Sequence, residues 1–228
     1  GSANKLLSKI SKLNFLGFPI AGINKSVLSG NPIRESFFAN QNNSNSCDEE
    51  DSVKIYITGG SQGAEFFNMQ IPLIFKDFSF NVKIKHQCGL NNLSAVKDLY
   101  LSNNIEAQVT EFYENPSEQI LWSDFVISRG GALSLSEITS LNRGTLTIPL
   151  PTSIDNHQFH NAKHIENMKM GIIHQQNESL ENLRQIVSNI IKNKTFANWK
   201  EAANKTNINS TNIIVNQVEE YFKTNETI

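Results

Sequence analysis

A chain of 228 residues with 20 basic and 22 acidic side chains is close to charge balance, with a formal net charge of −2. That balance argues against a dedicated nucleic-acid binder, which carries a basic excess or stripe; no apolar run reaches the roughly 18 residues that span a bilayer, and no charged segment followed by an apolar one marks a signal peptide. The length suits one full α/β domain with part of another, and Cys47 and Cys88, in dissimilar contexts without metal-ligand spacing, fit a reduced cytoplasmic setting.

Residues 4–13 have the pattern of an amphipathic helix with Lys5, Lys9 and Lys12 on its polar side. Such a helix suits a membrane surface or packing against a neighbouring element; its shortness favours packing. Residues 40–51 are polar and end in Asp48, Glu49, Glu50 and Asp51, the composition of a solvated linker rather than a metal site. From Val53 the chain alternates between strand and helix patterns. Val53–Thr58 predicts a buried strand that ends in the turn Gly59-Gly60-Ser61-Gln62-Gly63, followed at helical spacing by Phe66, Phe67 and Ile71. Further strands are expected at 82–86, 105–109, Phe125–Ser128, 145–148 and 172–174, with a glycine turn and a helix, Ala132–Ser140, after the fourth. Two or three helices close the chain, over Leu180–Lys192, Thr195–Asn204 and 209–222. Strands separated by helical stretches of this length imply a parallel sheet covered on both faces. The expected fold is therefore α/β, a Rossmann-like doubly wound parallel sheet.

In such a sheet, ligands bind at the carboxyl ends of strands, where turns lead into helices. The turns at 59–63 and at Gly130-Gly131 fall there. Glycine lets backbone approach an anion, and the free N–H groups of a helix N-terminus favour negative charge, so a diphosphate is a natural ligand. Either turn alone would also suit ordinary tight packing. Neither is a G-x-x-x-x-G-K-[ST] loop, which disfavours a P-loop NTPase.

Six runs stand out along the chain: Gly30-Asn31-Pro32-Ile33-Arg34, Gly59-Gly60-Ser61-Gln62-Gly63-Ala64, His86-Gln87-Cys88-Gly89, Val109-Thr110-Glu111-Phe112, Ser128-Arg129-Gly130-Gly131-Ala132-Leu133-Ser134-Leu135-Ser136-Glu137, and Asp155-Asn156-His157-Gln158 with Asn161-Ala162. Together they resemble the MurG family of bacterial GlcNAc transferases. Their order and spacing match the family from residue 4 to about 171. The resemblance implies a two-domain GT-B enzyme of which this chain is the C-terminal, UDP-GlcNAc-binding half. Residues 1–39 would be the tail of the acceptor domain and the hinge, 40–51 a linker, 52–206 the donor domain, and 207–228 a helix packing back toward the N-terminal domain.

Carried over by position, Gly60, Ser61, Gln62 and Gly63 would hold the donor phosphates, with Arg34 adding charge from the hinge. Phe112 would wall the uracil pocket, and Tyr113 would offer its backbone to the base. Gly131, Ala132, Leu133, Ser134, Leu135 and Ser136 would line the diphosphate and ribose, and Glu137 would accept from the ribose diol. Gln158 would read sugar hydroxyls, supported by Asn161. Plainer roles compete with some of these: Ser61 as an N-cap, Glu137 as an acid in the first turn of its helix. His86 and Cys88 fit structural packing, Met168 and Met170 packing at a helix end, and Arg129 either the site or an internal carboxylate pair. The family commonly has Arg-Ser-Gly-Ala where this chain has Arg129-Gly130-Gly131-Ala132, and Gly-x-Pro where it has Asn142-Arg143-Gly144.

The implied reaction is an inverting transfer of GlcNAc from UDP-GlcNAc to a MurNAc-pentapeptide on an undecaprenyl-diphosphate carrier, in peptidoglycan synthesis at the cytoplasmic face of the plasma membrane. The general base is expected in the missing N-terminal domain, which would also supply peripheral membrane contact. No cofactor and no protein-ligated metal are expected; any Mg²⁺ would accompany UDP. Alternatives are a split transferase that needs a separate acceptor-domain partner, a non-catalytic UDP-sugar-binding module, and a UDP-GlcNAc 2-epimerase, which fits the run from Gly130 to Glu137 less well.

Overall fold

The computed structural model describes residues 2–34, 37, 52–204 and 209–225. The expected linker with its acidic run, except Ser52 beyond its end, and Cys47 lie outside the described residues. A short helix α1 (Ser2–Ile10) leads to two short parallel strands, β1 (Asn14–Leu16) and β2 (Ser26–Leu28). The main body then runs β3 (Val53–Thr58), α2 (Glu65–Ile74), β4 (Val82–Gln87), α3 (Leu93–Ser102), β5 (Ala107–Thr110), α4 (Pro116–Trp122), β6 (Phe125–Ser128) and α5 (Ala132–Ser140). It continues with β7 (Gly144–Thr147), α6 (His157–Asn167), β8 (Gly171–Ile173), α7 (Leu180–Lys192), α8 (Thr195–Asn204) and α9 (Ser210–Asn225). Strands β3 to β8 form one parallel sheet in the order β5-β4-β3-β6-β7-β8.

Side-chain alternation along β3 explains its two-sided burial. Ile55 and Ile57 point into the larger core with Phe67, Ile71, Phe125 and Ile127, while Tyr56 faces the opposite core with Val126 and Ile138. β6 is buried at every position, as expected of a central strand with helices on both faces. α7 seals the larger core with Leu183, Val187, Ile190 and Ile191 on one face, and its N-cap Ser179 accepts from the Asn182 N–H at 3.2 Å. Gly144 lies flush against the Trp199 ring, 2.3 Å from where a Cβ would sit, so the corner before β7 packs an aromatic instead of a proline.

Several expectations change. α1 ends at Ile10 rather than 13; Ser11 makes the last i→i−4 bond to the Leu7 carbonyl, which its hydroxyl also reaches. β1, β2 and α6 were not anticipated: the strands have three residues each, too few for a period to emerge, and α6 is mostly polar. β5 starts at Ala107, β7 at Gly144 and β8 at Gly171, and α9 extends to Asn225. Residues before the linker do not stand apart from the domain. Phe18 is buried with Leu135, Ile165 and Met170, and Phe37 with Tyr56 and Val126.

Candidate functional site

The sheet's order reverses between β3 and β6, so the connections leaving these neighbouring strands run in opposite directions and open a crevice at their carboxyl ends. A cleft of about 640 Å³ lies there, lined by both glycine turns. In the first turn, the Gly63 N–H donates to the Gly60 carbonyl at 3.1 Å and the Gly60 N–H to Thr58 Oγ1 at 3.1 Å. Gly63 has φ +73°, and a Cβ there would stand 2.0 Å from the Cys88 carbonyl oxygen, so only glycine fits. α2 and α5 begin beside the cleft at Ala64 and Gly131, and neither has a side-chain cap. Each helix therefore presents the free N–H groups and positive dipole end that favour an anion.

The far wall is braced by α6. Gln158 Oε1 accepts from the backbone N–H groups of Gly130 at 3.2 Å and Leu150 at 3.0 Å, while Asn161 Nδ2 donates to the Gly130 carbonyl at 3.0 Å. The chain enters α6 through Asp155 and Asn156, with φ of 52° and 53°, a left-handed pair that turns the helix N-terminus toward Gly130. Arg129 also lines the cleft. Its guanidinium lies 4.7 Å from the Phe67 ring centre and donates to Gln176 Oε1 at 2.7 Å and the Ile148 carbonyl at 3.1 Å. Burial lowers its pKa to about 10, which leaves it a cation at neutral pH. These partners are neutral oxygens, so its charge faces the cleft without the carboxylate partner the sequence left open.

A second group of residues lies outside that lining. Arg34 Nη2 pairs with Glu137 Oε1 at 3.1 Å, and Asn31 Nδ2 donates to Ser136 Oγ at 3.0 Å, joining the hinge segment to α5. Phe112 is 52% exposed just beyond β5. Next to it the Tyr113 N–H donates to Gln87 Oε1 at 3.2 Å, and the Tyr113 ring meets Tyr56 edge-on. Burial raises the Tyr56 pKa, a side-chain hydrogen bond with Thr58 partly offsets that rise, and the neighbouring Tyr113 and Glu137 add to it.

Of the residues selected from sequence, Gly60, Gly63, Gly131, Ser134 and Gln158 line the cleft, with Ser61 and Gln62 exposed on the same turn. Asn161 braces the wall from behind, and Leu133 is 59% exposed in the first turn of α5. Ala132 packs inward, against the small core around Leu135. Leu135 is corrected outright: its side chain is fully buried and its N–H bonds the Gly131 carbonyl, so it has no group to offer a ligand. Arg34 lies on Glu137 rather than in the cleft. Ser61 is not an N-cap, a position held by Ala64, and Glu137 lies beyond the first turn of α5. His86 is structural: it is fully buried, bonded to the Tyr100 hydroxyl at 3.0 Å, and its pKa is pushed down to about 3 by burial. Cys88 is fully buried and free. Sequence reasoning missed Glu65 and Gln176 in the cleft lining and assigned no role to Gln87. Position in a strand-end motif was the available signal for Gln87.

Fold and cleft together define an α/β domain with an anion-favouring crevice between strand ends, the architecture shared by the donor domains of GT-B glycosyltransferases. The chain belongs to the glycosyltransferase family 28 C-terminal domain family, whose model matches residues 54–218. It is 34% identical over 201 residues to the UDP-N-acetylglucosamine--N-acetylmuramyl-(pentapeptide) pyrophosphoryl-undecaprenol N-acetylglucosamine transferase of Wolbachia sp. subsp. Drosophila simulans (strain wRi), covering 85% of this chain and 57% of that protein. To the transferase of the same name from Haemophilus influenzae (strain PittEE) it is 32% identical over 206 residues, 90% of this chain and 57% of the relative. The crystal structure of Acinetobacter baumannii MurG superposes with a TM-score of 0.82 at 26% identity, covering 96% of this chain and 64% of that one. The chain thus spans little more than half the length of these curated relatives.

Proposed function

We propose that this chain is the UDP-GlcNAc-binding half of an inverting hexosyltransferase that moves GlcNAc to a lipid-linked MurNAc-pentapeptide in peptidoglycan synthesis. The observation that carries the reading is the cleft itself: two helix N-termini, two glycine turns and the Arg129 cation converge where a diphosphate would lie. These groups would stabilise the negative charge that develops on UDP as it leaves, which is how a donor domain contributes to rate. The names of the relatives specify the sugar and the undecaprenol-linked acceptor, and family membership supports carrying both over. Deprotonating the acceptor hydroxyl requires a base within hydrogen-bond reach, and on this reading it comes from the acceptor domain that the relatives' extra length provides. That domain would also hold the protein on the cytoplasmic face of the membrane; among the described residues no helix is long and apolar enough to cross one. The reading assigns no protein-bound cofactor, with Mg²⁺ entering as a companion of UDP, and no nucleic-acid partner. Glu137, reached through exchange of its bond to Arg34, would take the ribose diol, and Phe112 the base.

Calorimetric titration with UDP-GlcNAc and with UDP tests the reading. Binding of both is expected, weakened at least about tenfold (about 1.4 kcal/mol) by Glu137→Ala. A folded chain that binds neither would overturn it.

A further inference from the structure

Gln87 is the last residue of β4, and the sheet register sets it between Thr58, the last of β3, and Thr110, the last of β5. It is 4% exposed, and its side-chain amide is used in both directions. Nε2 donates to the Gly60 carbonyl at 3.0 Å, inside the first glycine turn. Oε1 accepts the Tyr113 N–H at 3.2 Å and the Tyr56 hydroxyl at 3.3 Å. Only one orientation of the amide serves these partners, because a backbone carbonyl needs a donor and a backbone N–H an acceptor. The bond to Gly60 fixes a turn that lines the cleft. The bond to Tyr113 fixes the segment that carries Phe112. Past the strand ends the Cys88 and Gly89 N–H groups still join the end of β4 to that of β5, donating to the Thr110 and Glu111 carbonyls at 2.9 and 3.0 Å, and the side chain of Gln87 adds a bond to each of the two loops, the Gly60 turn and the Tyr113 segment.

We propose that Gln87 is a positioning residue that holds the Gly60 turn and the Tyr113 segment as one unit, so that the diphosphate and nucleoside halves of the donor site are set together. The proposal rests on the donor-site reading above. Removing the amide leaves the half-buried Tyr113 N–H without its partner and the Gly60 carbonyl with the Gly63 N–H, and the link between the two loops is lost. Replacing it by a carboxylate separates the two ties: the acceptor side survives, while the group facing the Gly60 carbonyl can no longer donate when ionised.

The test uses the whole chain, with binding of uridine and of UDP measured by calorimetry at pH 8 and exchange of the Tyr113 amide followed by NMR. Gln87→Met is expected to weaken UDP binding tenfold or more and to speed Tyr113 exchange at least tenfold. Gln87→Glu is expected to keep uridine affinity within twofold and still lose tenfold for UDP, a split that general loosening of the fold does not produce. Ile190→Val or Ile190→Ala, whichever matches the loss of Tm, is expected to leave both affinities within twofold. UDP binding by Gln87→Met at the wild-type level, or an equal loss in the matched core variant, would overturn the proposal. If the wild-type chain bound neither ligand, the donor-site reading would fall instead. Tyr113 exchange would then decide the tie alone, with an unchanged rate in Gln87→Met overturning it.

Discussion

Glu65 lines the same cleft as the glycine turns, one residue beyond the N-cap of α2. An acid in a helix's first turn is favoured by the dipole, but here it competes for the same N–H groups as an incoming diphosphate. Its carboxylate is exposed, so the repulsion is screened by water and salt. Glu65→Gln is therefore expected to raise UDP affinity by about threefold at low ionic strength and by less at high salt, a difference that titrations at two salt concentrations would register. An unchanged affinity would place the diphosphate away from α2. Arg129 carries the opposite charge into the cleft, and its neutral partners leave that charge available to a ligand. From the sequence this arginine could equally have been an internal ion-pair partner, because which oxygens surround a guanidinium is decided by tertiary packing. The same holds for Leu135: it falls inside a signature of ligand-facing residues, and only the turn of α5 shows that its side chain points to the core. Gly60 and Gly63, by contrast, were placed at the cleft by their position in a strand-to-helix turn at the sheet's carboxyl end, even though such a turn also suits ordinary tight packing.

At the scale of elements, the wall of the cleft depends on how closely α6 approaches β6. A Cβ on Gly130 would stand 2.3 Å from the Gln158 carbonyl oxygen, a backbone atom that cannot swing aside. Gly130→Ser, which installs the residue common in the resembling family, is therefore expected to push α6 outward and strain the bonds from Gln158 to Gly130 and Leu150. Overpacking of this kind costs about 1–3 kcal/mol, or a fall in Tm of several degrees for a domain of this size. Urea and thermal unfolding would measure it; a variant as stable as the wild type would show that the approach relaxes freely. The elements most legible in the sequence were those whose apolar content dictates burial. β3, β6, α5 and α7 have the expected limits, since short runs of branched apolar residues or a repeating apolar face admit few alternatives. α6 escaped notice because it owes its place to side-chain amides bonded across to Gly130 and to the left-handed pair at Asp155 and Asn156, neither of which has a hydrophobic period. The ends of β5, β7 and β8 shifted by one or two residues because pairing to a neighbour, rather than composition, sets where a short strand stops.

For the whole molecule, the strand order is the decisive feature. It sets β3 and β6 side by side, brings both glycine turns to one crevice, and directs the helix N-termini of α2 and α5 into it. The order of motifs along the chain announced a doubly wound sheet; that residues before the linker pack onto it through Phe18 and Phe37 did not follow from their sequence. On the proposed reading, donor binding is what this chain's own residues would account for, while transfer to an acceptor would draw on length that the relatives have beyond it. The most direct test is a UDP titration of the isotope-labelled chain followed by amide chemical shifts. The account predicts the largest changes at Gly60, Ser61, Gln62, Ala64 and Gly131 to Ser134, with little change at Asp124 and Val53 at the opposite, amino ends of β6 and β3. Large changes confined to those amino ends, or none at either glycine turn while UDP binds, would contradict it.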